Sequence, residues 1–115
     1  MAWYYVYNPA KMTVQVHEVE AMRMISSGMG IMQFVYHTGS AVKYMYGHDK
    51  PGEAYSISRH LSTWLEERDD KLALEILRGP RMVRIQKQSE DVAKRLDKLQ
   101  LERDAWIGRE IEVIG

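Results

Sequence analysis

The stretch Ile31-Met-Gln-Phe-Val-Tyr-His-Thr-Gly-Ser-Ala-Val-Lys-Tyr-Met-Tyr46 decides how this 115-residue chain folds, because it reads in two periods. Read as β, it is a hairpin turning at Thr38-Gly39-Ser40. Read as α, Ile31, Phe34, Val35, Thr38, Val42 and Met45 form one stripe at 3.6-residue spacing. A glycine inside such a helix costs about 1 kcal/mol relative to alanine, so Gly39 would need a purpose there, such as the close approach of a second helix. Periodicity leaves both readings open.

Upstream, Val19, Met22, Ile25 and Met29 share a helical face. Glu18 and Glu20 stand near its start, where the helix dipole favours acids, and Gly28 and Gly30 close it. Before that, aromatic and β-branched Ala2–Tyr7 stops at Asn8-Pro9, and Met12–Val16 alternates weakly. The pair reads as a short N-terminal hairpin. Trp3, Tyr4, Tyr5 and Tyr7 are more aromatics than a half-buried strand needs, which points some of them at a partner or a second copy. Downstream, Gly47–Gly52 is a loop by composition. Residues 54–67 read as a helix burying Ile57, Leu61, Trp64 and Leu65. Asp69 or Asp70 caps a further helix, Lys71–Arg78, which Gly79-Pro80 stops. Arg81–Gln88 reads as extended. Ser89 caps a long C-terminal helix over 89–107, with Val92, Leu96, Leu99 and Trp106 on one side as a possible homodimer seam, and with Glu90–Lys94 and Asp91–Arg95 as i,i+4 pairs. Ile111, Val113 and Ile114 form a tail able to dock as a strand. The expectation is a mainly α (α+β) compact helical domain, one domain over 1–115, with a short N-terminal strand or hairpin.

Composition narrows the function. Apolar residues make up 45% and charged residues 28%, with 16 basic against 16 acidic side chains, so any polyanion site must be a local patch. Without cysteine there is no disulfide scaffold, thiolate zinc site or cysteine nucleophile. The N-terminus lacks a basic n-region, and no apolar run nears the roughly 18 residues that span a bilayer. A cytoplasmic protein with no membrane role is expected. No GxxxxGK[ST] loop is present. The four histidines, His17, His37, His48 and His60, form no i,i+4 pair for a structural metal.

One segment carries a resemblance. His37-Thr-Gly-Ser-Ala-Val-Lys-Tyr44 resembles the core of a phage nucleotide-kinase-like family of small proteins, hydrophobic-Gly-Asn-Ala-Ile-Lys-Tyr, that includes the nucleotide kinase of a T-odd coliphage. The flanks Glu18–Ile25 and Arg59–Glu66 resemble two helices of that family, so the likeness covers roughly residues 17–68. It departs where Ser40 replaces the family's Asn and Gly47 its Arg, and the family's Pro-x-His-Tyr-type entry is missing. The resemblance implies that 31–46 is a helix. It also implies a nucleotide-metabolism protein that binds a nucleotide phosphate, with a Mg²⁺-dependent nucleoside-monophosphate kinase as one form. On that reading Lys43 and Lys50 meet phosphate, Tyr44 meets base or sugar, and His37 and Ser40 complete the site. Glu66 and Asp70, one helical turn apart, would share Mg²⁺, with Glu18 as a second acid. The competing assignment makes Lys43 and Tyr44 part of a packed helix and the acids a solvated helix end.

The other function class is a non-catalytic protein that binds a host protein or nucleic acid. For it the sequence offers Arg78, Arg81, Arg84 and Lys87, basic at every third position with no acid between them, as a phosphate-binding stripe.

Overall fold

The computed structural model describes residues 2–57, 60–91 and 96–115. Among them are eight strands in two sheets and two helices: β1 Ala2–Asn8, β2 Thr13–Val19, β3 Ala21–Ser26, β4 Ile31–Thr38, β5 Ala41–His48, β6 Tyr55–Ile57, β7 His60–Leu65, α1 Asp70–Asp91, α2 Leu96–Ile107 and β8 Glu112–Ile114. The chain is mostly β, which corrects the expected helical domain.

The first sheet runs β6-β7-β1-β2-β8 and the second β3-β4-β5. β1 pairs antiparallel with both β2 and β7, whereas β8 lies parallel to β2. The β1–β2 turn is made locally, because the Asn8 side-chain oxygen accepts hydrogen bonds from the Ala10 and Lys11 amides at 3.0 and 3.3 Å. β1 is central and covered on both sides. Trp3, Tyr5 and Tyr7 face the helices, while Ala2, Tyr4 and Val6 face the second sheet. That answers the surplus of N-terminal aromatics, since a strand buried twice uses both of its faces.

On the helix side, Tyr5, Tyr7, Val14, Val16, Leu61 and Leu65 pack against Ala73, Leu77, Ile85, Leu99 and Trp106. On the other side, Phe34 and Tyr36 of β4 stack near Tyr4 (ring centroids 5.1 and 5.9 Å) and Phe34 meets Trp64. β2 runs into β3 with only Glu20 between them, so one bent run of chain serves both sheets. The far edge of β5 is tied back by side chains. Tyr4 donates to the Tyr46 carbonyl at 3.0 Å and Trp64 Nε1 to the His48 carbonyl at 2.7 Å. The molecule therefore curls into a roll that is closed at β5 by side-chain hydrogen bonds.

The stretch 31–46 is the hairpin β4–β5, with Thr38 opposite Ala41. Gly39 takes φ +64° and Ser40 an ordinary negative φ, the pattern of a two-residue type II′ turn. Gly39 is there for the turn and not for a neighbouring helix. The helical stripe arose because both faces of this sheet carry apolar residues, so no clean alternation marks the strand. The expected helices over 18–30 and 54–67 fail for a related reason. In β7, Leu61 to Leu65 are all buried, because both faces of that strand are covered.

α1 runs straight through Gly79-Pro80 and through Ser89, which correct the expected stop, the extended 81–88 and the Ser89 cap. Pro80 removes one backbone hydrogen bond, but Ala73, Leu77 and Ile85 keep a continuous buried stripe across it. Asp69 does cap the helix, accepting from the Leu72 amide at 3.1 Å. Leu99 and Trp106 are buried in the chain's own core, not in a dimer seam. Val92 and the partners Lys94 and Arg95 of the expected ion pairs lie outside the described residues. The tail docks as β8. Among the described residues no helix is long and apolar enough to cross a membrane.

Candidate interaction site

The β4–β5 register places the motif residues. Lys43 stands opposite Tyr36 and Tyr44 opposite Val35, so Lys43 and Tyr44 project from opposite faces of β5. His37 and Ser40 lie at the hairpin tip, where the His37 ring meets the Glu20 carboxylate. Lys50 follows β5 at the other end, and Lys43 to His48 alone spans about 17 Å of strand. His37, Ser40, Lys43, Tyr44 and Lys50 therefore do not converge on one phosphate.

The proposed Mg²⁺ pair is not assembled either. Glu66 follows β7 and Asp70 opens α1, so they are not one helical turn apart. Asp70 accepts hydrogen bonds from Arg68 at 3.1 and 3.2 Å and from the Tyr5 hydroxyl at 2.9 Å. The Arg68 guanidinium holds the Asp70 carboxyl below its ordinary range. Among the described residues no three His, Asp or Glu side chains stand close enough to hold a metal ion.

The basic stripe lies on α1, where a three-residue repeat drifts around the helix. Arg78 pairs with Glu75 at 2.9 Å, and Arg81 grips Glu102, so these two are neutralised within the fold. Arg84 and Lys87 complete the run without making it a patch.

A Ser–His pair does exist, and its setting is structural. His60 Nε2 lies 2.9 Å from both the Tyr4 hydroxyl and Ser62 Oγ. With Tyr4 donating to the Tyr46 carbonyl, His60 is the donor to both oxygens. Ser62 is fully buried, beyond the reach of a substrate. Burial lowers the His60 pKa and raises that of Tyr4, so both stay neutral near neutral pH.

What the fold does leave open is the β3–β4–β5 sheet. Of the thirteen large apolar side chains exposed among the described residues, seven belong to it or its turns. Tyr44 is 58% and Tyr46 44% exposed. They stand side by side on the outer face, with Val35 and Gln33 across from them on β4 and Ala21 and Arg23 beyond on β3. Residues 21–48 contain none of the chain's 16 acids and only two of its 16 Lys and Arg, Arg23 and Lys43, yet five of its eight methionines. That composition was visible in the sequence, but a helical reading assigned those side chains to a core.

Two grooves border the sheet. One, of about 650 Å³, is lined by Trp3, His17, Glu18, Glu20, His37 and Arg68 among others. The second, of about 520 Å³, is lined by Ala2, Val19, Ala21, Met22 and Trp64, with Glu20 and Glu66 as its charged residues. Compared with protein-family models, curated proteins and solved structures, the chain matches none.

Proposed function

We propose that this chain is a non-catalytic binding module that docks another protein on the β3–β4–β5 sheet. One observation carries the reading: the exposed apolar surface is concentrated on one sheet from which carboxylates are excluded. Protein interfaces are enriched in Tyr, Met and Arg and depleted of Asp, Glu and Lys, and residues 21–48 have that balance. Val42, Tyr44 and Tyr46 share the outer face of β5, and exposed apolar side chains gathered in this way on a small protein mark an interaction surface. A nucleic acid is the weaker fit, because affinity for a phosphate backbone grows with the number of cations it meets. Here Arg23 and Lys43 stand alone over 28 residues, while Arg78 and Arg81 are already ion-paired. A nucleotide site has less support still, because its residues are dispersed.

The test replaces Tyr44 and Tyr46 together by serine. The double variant should melt with the parent, because both rings are exposed, and a partner captured by the parent should bind it at least tenfold more weakly, the scale of a central aromatic contact. Labelled single-stranded DNA and a nucleotide panel serve as the other arms. Tyrosine-dependent binding of either, with no protein lost from the variant, would overturn the reading.

A further inference from the structure

β3 has an unpaired edge, and that edge borders the second groove. β1 covers the β2 side of the bent run only as far as Ala2, which pairs with Val19. β3 then continues with β4 on one side and no strand among the described residues on the other. Beside its first residues lies the 520 Å³ groove, whose floor is Ala2, Val19 and Trp64, each less than one-tenth exposed, and whose wall is Met22. Its charged residues are the exposed carboxylates Glu20 and Glu66, with no Lys or Arg. Natural sheets cover or blunt such an edge. This one is blunted only at its end, where the register shifts between Met24 and Ser26.

We infer that the partner contributes an extended apolar segment carrying one Lys or Arg, which adds as a strand to β3 over Ala21–Met24 and places its cation between Glu20 and Glu66. The inference rests on the sheet being the protein-docking surface and names the element that docks. Backbone hydrogen bonds along the edge supply affinity, and alternate side chains entering the groove supply selectivity. The bulge after Met24 limits the pairing to about one short strand. Glu20 also meets His37 within the chain, so Glu66 is the carboxylate on which the cation chiefly relies.

A second copy of this chain does not fit the same edge. Antiparallel self-pairing across a two-fold axis puts one β3 residue on that axis. With Arg23 there, like charges oppose each other. With Met22 there, the copy runs into Ala2, which already occupies the edge beside Val19. With Met24 there, the pairing crosses the bulge.

The experiment uses the whole chain and three blocked octapeptides of alternating Thr and Val. One carries a central Lys, one a central Glu, and one the Lys with a neighbouring Pro. Amide hydrogen exchange and titration are the readouts. The Lys peptide should slow exchange within 20–26 and bind at least tenfold more tightly than the Glu or Pro peptides, and Glu66→Gln should remove most of that preference. Unchanged exchange in β3 at millimolar peptide, or equal binding of the Lys and Glu peptides, would overturn the inference. So would a concentration-dependent dimer that the Lys peptide dissociates, since the edge would then belong to a second copy. Absence of peptide binding to the parent marks failure of the edge, and retention of every partner by the tyrosine variant marks failure of the docking surface.

Discussion

Glu102 shows how one side chain is committed to the fold. It comes from α2, is 5% exposed, and accepts a 2.6 Å hydrogen bond from the Tyr7 hydroxyl of β1. Arg81 of α1 binds both of its oxygens and lies over the Tyr7 ring. Burial works against the Arg81 charge, and the Glu102 carboxylate outweighs it and keeps the guanidinium protonated. Removing one member strands a buried charge, so Glu102→Ala should cost about 3–5 kcal/mol in urea unfolding. Arg81→Met/Glu102→Leu should recover most of that loss, because apolar replacement of a buried pair is often close to neutral. A double variant no more stable than the single would mean that the hydrogen bond from Tyr7, not the ion pair, dominates. In the sequence Arg81 is legible only as one of a basic series. Its acid lies 21 residues away and is set by the meeting of two helices, which no local pattern encodes. Gly47 is a second such case. A Cβ there would stand 2.9 Å from Phe34 Cε2. Gly47→Ala should therefore cost about 1–3 kcal/mol through overpacking, measured as a fall in melting temperature.

At the scale of elements, α1 is where local rules and tertiary packing disagree. Gly79 and Pro80 are strong stop signals, and both sit inside a 22-residue helix. Gly79 is exposed, and a Cβ on it would meet nothing within 4 Å. Gly79→Ala should thus stabilise the protein by about 1 kcal/mol, since only helix propensity and unfolded-chain entropy change. Thermal unfolding checks this, and an unchanged or lower midpoint would place a break at Gly79 that the helix needs. What was legible in the sequence follows the same division. Asn8-Pro9, the Asp69 cap and the C-terminal strand are local signals, and they were readable. The hairpin at Gly39-Ser40 was readable as one of two alternatives, and the family resemblance tipped it to the wrong one. β7 was not readable, because Leu61–Leu65 faces a core on each side and loses the alternation that marks a strand. The candidate site stayed hidden for the same cause, since its exposed residues count as core until the sheet is known to have an open face.

At the scale of the whole molecule, the two sheets meet at a seam that contains two histidines. His17 of β2 stacks on Tyr36 of β4 at 4.1 Å, with its Nε2 buried and unbonded among the described residues. His60 of β7 binds Tyr4 and Ser62 beneath the Tyr46 carbonyl. Burial depresses both pKa values below the ordinary 6.5, and Arg84 depresses that of His60 further. The sign follows from proton counting. Below about 6.5 the unfolded chain takes up protons that the folded chain refuses, so stability falls as pH drops from there towards the two folded pKa values. With both residues contributing, the slope is up to about 2.7 kcal/mol per pH unit. Asp70 acts in another window, because a carboxyl held below its ordinary 3.8 loses its contribution only when pH falls further. A melting series from pH 7.5 to 4.5 should therefore show a decline that begins near 6.5. His17→Gln/His60→Gln should be less stable at pH 7.5 yet nearly flat down to pH 5. A parent curve that is flat to pH 5 would mean that the seam takes up the protons without opening, and the two histidines would then be bystanders in holding the sheets together.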